Sequence, residues 1–247
     1  MKPLNKTGFT IVETMLFLGI SGLLVMGVLV GTGTAINIQR YRDSVASFRS
    51  FLQQQYSDVA NVSNNVDNSN CDSNPKQRGQ SDCVILGRLI TNTDKDTLLS
   101  RIVTGNPPPV SATTATATDD IEALKTYTYG ISNDHEDTYD MDWGSSIANI
   151  DGSTLNFSML ILRSPTSGII RTFIDPKTKI LDNDIASLLD MTPSALTQSV
   201  QACVNSNGAL TGNKMAVLIN ANATSASSIE SLGEQDQSNK GGAFVCQ

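Results

Sequence analysis

Histidine, which most catalytic triads and many metal sites require, occurs once in the chain, at His135. The sequence contains neither a glycine-rich nucleotide-binding loop nor a G-x-S-x-G nucleophile elbow. A lone histidine outside such motifs is more typical of a protein surface than of a metal ligand or a general base. These absences argue against an enzyme, and the sequence predicts no cofactor.

Basic residues are too few for a chain whose main partner is a nucleic acid. Lys and Arg total 17 against 24 Asp and Glu, for a net charge of −7 and a pI of about 4.6. Nucleic-acid-binding domains usually show the opposite balance, so nucleic acid is not expected as the main partner.

The acidic run 133–142, NDHEDTYDMD, is the best candidate for a metal site. Carboxylates at alternate positions can surround a calcium ion, which takes roughly six to eight oxygen ligands. The run lacks the glycine and the terminal glutamate of an EF-hand loop, however. We therefore interpret it as a solvated acidic loop and predict no metal site.

Cysteines are scarce as well, and none of them forms a C-x-x-C pair, which leaves a zinc site little support. The four cysteines are Cys71, Cys83, Cys203 and Cys246. Three connectivities are open, of which near-neighbour pairing, Cys71–Cys83 and Cys203–Cys246, is the simplest. Disulfides imply an oxidising compartment outside the cytoplasm, whereas four reduced thiols in a cytosolic protein are the alternative.

A long apolar run lies near the N-terminus, and no residue from Thr14 to Gln39 is charged. A helix rises about 1.5 Å per residue, so this run exceeds a bilayer core of about 30 Å and predicts a membrane span. A secretory signal peptide is the rival interpretation, but the run is too long and no A-x-A-like site ends it. The short tail with Lys2 and Lys6 should stay cytosolic, with the head outside.

Glu13 lies inside this apolar run, where a carboxylate costs several kcal/mol unless a cation pairs with it. The helix itself offers no cation nearby, so a partner on another chain is the natural solution. Cleavage between Gly8 and Phe9 would supply one, the new α-amine of Phe9. The alternative is a glutamate near the helix end that snorkels to the lipid headgroups.

The segment Gly8-Phe9-Thr10-Ile11-Val12-Glu13 resembles the cleavage and methylation signature of type IV prepilins and type II secretion pseudopilins. The resemblance implies a leader over 1–8 that a prepilin peptidase removes after Gly8, and N-methylation of Phe9. It also implies that Glu13 meets the Phe9 amine of a neighbouring subunit. The implied partners are other pilin or pseudopilin subunits, the peptidase, the inner-membrane assembly platform and the membrane.

One feature departs from many major pilins, which carry a proline about two-thirds along the membrane helix. This segment has none, and glycine could loosen the helix instead, since it costs about 1 kcal/mol relative to alanine. The glycines concerned are Gly27, Gly31 and Gly33.

The helix is predicted over 9–60, with 9–38 spanning the membrane and 39–60 amphipathic. Apolar residues recur at spacings of three or four, while Gln53–Gln55 and the charged residues fall largely elsewhere. The stripe consists of Ile38, Tyr41, Val45, Phe48, Leu52, Tyr56 and Val59. We expect it to pack against a sheet of the head rather than to form an exposed coiled-coil stalk.

Residues 61–247 are predicted to form an extracytoplasmic, β-rich head. Strands are expected over 83–90, 126–131, 155–162, 169–174, 214–220 and 243–245, with a turn at 164–168, loops over 61–82 and 106–120, and a helix over 182–204. The fold class is therefore α+β, with a pilin-like long helix packed on an antiparallel sheet. The stretch 203–220 resembles the end of H-type minor pseudopilins.

These features predict a structural subunit of a type IV pilus or a type II secretion-like filament. The large head favours a minor pilin or a pseudopilin over a major pilin. The subunit would reside in the cytoplasmic membrane as a single-pass protein and then in the filament. A membrane-anchored extracytoplasmic binding protein that does not polymerise is the alternative.

Overall fold

The structure is a computed structural model of the 247-residue chain. It describes residues 8, 10–61, 83–108, 120–156, 158–175, 185, 189, 199–208, 214–239 and 245–246, with the backbone alone at 133–135. The fold is α+β and divides into two compact units between Arg40 and Tyr41.

Helix α1 extends from Ile11 to Ala60. No proline interrupts it, so each backbone N–H after the first turn can donate to the carbonyl one turn earlier. At its C-terminal end the Arg163 side chain donates to Ala60 O at 3.1 Å. Asn61 Nδ2 donates to Ser57 O at 3.0 Å. The Arg163 donor satisfies a carbonyl that a helix end otherwise leaves without a partner, whereas Ser57 O also accepts from the Asn61 backbone N–H.

The described residues of the second unit form two sheets, in which every pair of neighbouring strands is antiparallel. After α1 the elements are β1 (Val84–Asn92), β2 (Thr97–Asn106), α2 (Asp120–Lys125), β3 (Thr128–Asp140), β4 (Ser146–Ala148), β5 (Ser158–Arg163), β6 (Ile170–Asp175), β7 (Val200–Asn205), β8 (Met215–Ile219), β9 (Ile229–Leu232) and α3 (Glu234–Asn239). The first sheet has the order β3-β2-β1-β5-β6 and the second β4-β7-β8-β9.

The second half of α1 lies against both sheets through one apolar stripe. Phe48 and Leu52 are fully buried, and Tyr56 is 2% exposed. They share a hydrophobic cluster with residues of the first sheet, such as Ile161, and of the second, such as Val217. This confirms the predicted packing of the amphipathic half on a sheet. Each fully buried side chain of this size contributes about 1.5–3 kcal/mol relative to an exposed one.

The first sheet is covered on both faces, which explains why its strands lack a clean alternation of polar and apolar residues. On β5, Met159 and Ile161 belong to the cluster that contains α1. Leu160 and Leu162 belong to a second cluster together with Leu124 of α2. A strand buried on both faces appears in sequence as a continuous apolar run.

Gly87 allows β1 to approach β5 closely. A Cβ atom at this position would overlap the backbone oxygen of Ile161. The register of β1 against β2 also shifts between Ile85 and Gly87. Glycine is the residue that such a close backbone approach requires.

Four predicted segments of the head agree with the structure and two do not. The strand near 83–90, the strand at 126–131, the hairpin at 155–174 and the strand at 214–220 correspond to β1, the start of β3, β5–β6 and β8. The acidic run was wrongly predicted as a loop, because β3 continues through it to Asp140. The predicted helix was wrong from Val200 to Val204, because these residues pair with β8.

Other predictions fall largely outside the described residues. They concern most of the loops at 61–82 and 106–120, most of 182–198 and residues 243 and 244 of the last predicted strand. Residues 245 and 246 belong to no regular element. Strands β2, β4 and β9 were not predicted.

Candidate functional site

The predicted processing and assembly residues lie at the start of α1. Gly8 is exposed, with no heavy atom within 4 Å of a Cβ built on it. Phe9 lies outside the described residues. Helix α1 begins at Ile11, three positions after Gly8.

Thr10 and Glu13 form the N-terminal turn of α1. The Glu13 backbone N–H donates to Thr10 Oγ1 at 3.3 Å and to Thr10 O at 3.1 Å. Thr10 thus acts as an N-cap, and Glu13 stands at the third helical position, the spacing of a capping box. A carboxylate here also faces the positive end of the helix dipole.

The Glu13 side chain is exposed in this structure. Within the described part of the chain its carboxylate makes no hydrogen bond or ion pair. The chain therefore leaves this charge available to a group outside the residues described. The cationic partner that the sequence predicts for Glu13 on another chain stays a prediction.

The surface of α1 between Ile11 and Ile36 is apolar around its circumference and exposed. Its large side chains are between 50% and 77% exposed. By length and composition this helix can span a membrane, and within the described residues it is the one that can. An apolar surface of this extent needs a cover of lipid or of other protein chains.

Polar side chains within this apolar part form hydrogen bonds to the helix itself. Thr32 Oγ1 donates to Val28 O at 3.0 Å and is also within 3.1 Å of Leu29 O. Thr14 Oγ1 lies 2.9 Å from Ile11 O. Hydroxyl groups that bond back to their own helix need no water, so they are compatible with an apolar environment.

Gly27 and Gly31 leave open surface on the same part of the helix. At neither position would an added Cβ lie within 4 Å of another heavy atom. Residues spaced by four share one face of a helix, so the backbone is accessible to a neighbouring helix there.

The second half of α1 carries buried polar groups that the sequence did not reveal. Gln55 is 1% exposed. Its Oε1 accepts hydrogen bonds from Ser100 Oγ at 2.6 Å and from Arg88 Nη1 at 3.2 Å. Its position between Leu52 and Val59, in the register of the stripe, was the signal that could have placed it in the core.

Arg88 links α1 to two strands of the first sheet. Its guanidinium lies 3.4 Å from Asp58 Oδ2 of α1 and 2.6 Å from Asp137 Oδ2 of β3. Asp137 belongs to the acidic run, so one carboxylate of that run has a structural partner in the head. Among the described residues, no cluster of three or more histidine, cysteine, aspartate or glutamate side chains could hold a metal ion.

Two tyrosines of α1 form buried hydrogen bonds with the sheets. Tyr41 OH donates to Val204 O at 2.7 Å and accepts from Met215 N at 2.7 Å. Tyr56 OH and Thr172 Oγ1 are 2.8 Å apart. Burial raises the pKa of Tyr41 above its usual value. Burial also raises the pKa of Tyr56, to about 12, so both are neutral donors at physiological pH.

A disulfide joins Cys203 of β7 to Cys246, with the Cα atoms 5.9 Å apart. This is one of the two near-neighbour pairs considered from the sequence. Gln237 of α3 also contacts this segment, because its Oε1 accepts from Cys246 N at 3.0 Å. Cys83 is disulfide-bonded too, and Cys71 lies outside the described residues.

Comparisons of this chain with protein-family models, with curated proteins and with solved structures found no match.

Proposed function

We propose that this chain is a membrane-anchored filament subunit of the type IV pilin-like family, a minor pilin or a type II secretion pseudopilin. In this proposal a prepilin peptidase cleaves after Gly8 and methylates the new N-terminus at Phe9. The subunit then passes from the membrane into a helical filament. The observation that supports this most is that one helix, α1, carries an exposed apolar surface and also contributes the core of the head.

The exposed surface suits both environments that the proposal requires. In the membrane the side chains between Ile11 and Ile36 would face lipid, and in the filament they would face the same helices of other subunits. Lipid tails are about as apolar as leucine, so transfer between the two changes the hydrophobic free energy little. A subunit could therefore leave the bilayer without a large loss of apolar burial.

Glu13 gives the assembly its register in this proposal. A carboxylate among apolar side chains is costly unless a cation neutralises it. The α-amine of Phe9 on a neighbouring subunit would be such a cation after cleavage. A buried ion pair contributes less to affinity than to the choice of one arrangement, so the pair would align neighbouring subunits.

The direct test is the intact mass and the N-terminal sequence of the protein from its native membrane. The proposal expects a chain that begins with N-methylated Phe9 and lacks residues 1–8. An uncut chain in cells with an active prepilin peptidase would contradict it. An anchored binding protein that does not polymerise, the alternative considered above, would then be the better interpretation.

Replacement of Glu13 tests the assembly step separately from cleavage. We expect Glu13→Ala to be cleaved normally but to be lost from sheared filaments, as measured by immunoblot of the filament and membrane fractions. Thr10→Ala is the matched control, because it removes the capping hydroxyl and keeps the carboxylate. Normal incorporation of Glu13→Ala would exclude the pairing with Phe9.

A further inference from the structure

The head exposes one tryptophan in an unusual backbone conformation. Trp143 is 59% exposed and has φ 58° and ψ 28°, inside the short 3-10 turn Asp142–Gly144. Left-handed backbone is rare for any residue except glycine and is a genuine outlier for a bulky one. Gly144, next in the chain, also has a positive φ, of 69°.

Neighbouring side chains hold this turn in place. Asn207 Nδ2 donates to Gly144 O at 2.6 Å, and Ser146 Oγ lies 3.2 Å from Asn207 Oδ1. Asn207 is itself left-handed, with φ 49°, and its N–H donates to Asn205 Oδ1 at 2.9 Å. Strained backbone persists where the surroundings enforce it, and such positions concentrate at functional surfaces. Here the strain presents an indole ring to the outside.

The Trp143 turn lies at the end of the head where α1 enters it. Tyr41, the first residue of the head unit, bonds to Val204 O. The next residue of β7, Asn205, pairs with Ser146, three residues after Trp143. We call this end of the head the base.

The course of β3 along α1 agrees with this position. Asp137 contacts Arg88, which also contacts Asp58, near the C-terminal end of α1. Tyr139, two residues later, donates to Ser47 Oγ at 3.1 Å. The strand therefore runs back along the helix towards Tyr41, and Trp143 follows it.

Ile169 is an exposed apolar residue at the end of the head opposite to Trp143. It is 43% exposed and, among the described residues after Arg40, is the other exposed large apolar side chain. It lies in the turn between β5 and β6, whose first strand ends at Arg163. That arginine donates to Ala60 O, at the last residue of α1.

Along the chain, the base begins shortly after the predicted membrane span. Tyr41 follows Ile38, the last residue of the predicted span, by three positions, so their Cα atoms can be at most about 11 Å apart. Tryptophan prefers the interface of membrane and water, because its ring is apolar and its N–H is polar. Asp140 and Asp142 flank the turn, and their charges would disfavour an anionic lipid surface.

From these observations we infer that Trp143 is an interfacial anchor, whose indole ring enters the headgroup region of a zwitterionic bilayer and holds the base of the head on the membrane. The inference rests on the membrane anchoring in the proposed function. It adds a second contact with the bilayer, made by the head itself. The strained turn holds this exposed ring at the base of the head.

Trp143 is the only tryptophan of the chain, so its fluorescence reports on this position alone. The full chain would be reconstituted at a low protein-to-lipid ratio in phosphatidylcholine vesicles, with bromine placed near the headgroup end of the acyl chains. We expect blue-shifted emission, a loss of about half of the intensity to the brominated lipid, and weak quenching by aqueous iodide. The double variant W143F/I169W is the matched control, because it moves the single tryptophan to the opposite end. Its emission should be quenched by iodide and unaffected by bromine.

Vesicle flotation separates the outcomes. A chain that floats with the vesicles while Trp143 remains open to iodide and insensitive to bromine would overturn the anchor and leave the membrane span standing. A chain that does not float would overturn both. A blue shift that grows with the protein-to-lipid ratio without bromine quenching would assign the ring to a contact with a second copy, and would also overturn the anchor.

Discussion

The two halves of α1 share one backbone conformation and differ in what covers their side chains. From Ile11 to Ile36 large apolar residues point in all directions and are exposed. From Tyr41 to Val59 one stripe is apolar, and it is buried against the sheets. Helix formation is therefore common to both halves, while the side-chain pattern decides whether the partner surface lies inside the chain or outside it.

Removal of a buried side chain from the second half should have the largest effect on the head. Leu52 is fully buried, so we expect Leu52→Ala to lower the free energy of unfolding by about 2–5 kcal/mol, through lost burial and the cavity it leaves. Leu24, in the first half, is 66% exposed, and Leu24→Ala should change it by less than about 0.5 kcal/mol. Denaturant unfolding of the whole chain in mild detergent, followed by Trp143 fluorescence, measures both. Equal losses would abolish the distinction between the halves.

Removal of the buried amide of Gln55 should have the second-largest effect on the stability of the head. Gln55→Leu removes the acceptor that Ser100 and Arg88 share, and we expect a loss of about 1–3 kcal/mol from the unpaired donors. Gln54, its neighbour, is exposed, so Gln54→Leu is the matched control and should be close to neutral. Similar stabilities for the two variants in the same unfolding experiment would mean that the Gln55 hydrogen bonds contribute nothing.

The buried hydroxyl of Tyr56 should make the stability of the head depend on alkaline pH. Its pKa rises to about 12 in the folded protein, above the ordinary value of about 10 in the unfolded chain. The resulting stabilisation is complete below pH 10 and is lost as the pH rises towards 12, because the unfolded chain releases the proton first. At pH 11 the loss amounts to about 1.4 kcal/mol.

Comparison with Tyr56→Phe isolates this contribution from those of the other tyrosines. The variant lacks the hydroxyl that Thr172 contacts, so it should be somewhat less stable at pH 7 and lose less between pH 9 and 11. Parallel stability curves for the two proteins over that range would contradict the assignment.

Removal of a single hydroxyl group from either half of α1 should change the free energy of unfolding least. Ser44 is fully buried, and in the described part of the chain its Oγ has no hydrogen-bond partner. Ser44→Ala should therefore raise the stability by up to about 1 kcal/mol. Thr32→Val removes a hydroxyl that bonds to its own helix and should change the stability by less than about 0.5 kcal/mol. A clear loss in Ser44→Ala would indicate a partner for its hydroxyl.

Local sequence patterns predicted the elements whose apolar residues recur with a single period, either that of a helix or that of a strand. The stripe of α1 follows the helical period, and the β5–β6 hairpin has two apolar runs around a turn that contains Pro165 and Gly168. At Val200–Asn205 two periods compete, since Val200 and Val204 fit a helix, while Val200, Ala202 and Val204 fit a strand. Pairing with β8 decided for the strand. That pairing joins residues distant in sequence, so the local pattern could not reveal it.

The prediction of a loop over the acidic run was wrong for a related reason. Asn, Asp and Glu are poor strand formers, and the segment resembles a solvated loop in sequence. Residues 137–140 of the run nevertheless pair with β2 at the edge of the first sheet, and Asp137 contacts Arg88. The exposure of Trp143 at the base depends in the same way on Asn207, distant in sequence.

By itself the sequence determined a long N-terminal helix, apolar around its circumference at first and amphipathic later, because helical period and hydrophobicity are local properties. The resemblance that motivates the proposed function likewise rests on the sequence alone. Only the tertiary structure decided how the strands are distributed between two sheets, which polar side chains are buried with α1, and that a strained tryptophan faces outward at the base of the head. These features depend on contacts between residues far apart in the chain, whose free energies no local pattern encodes.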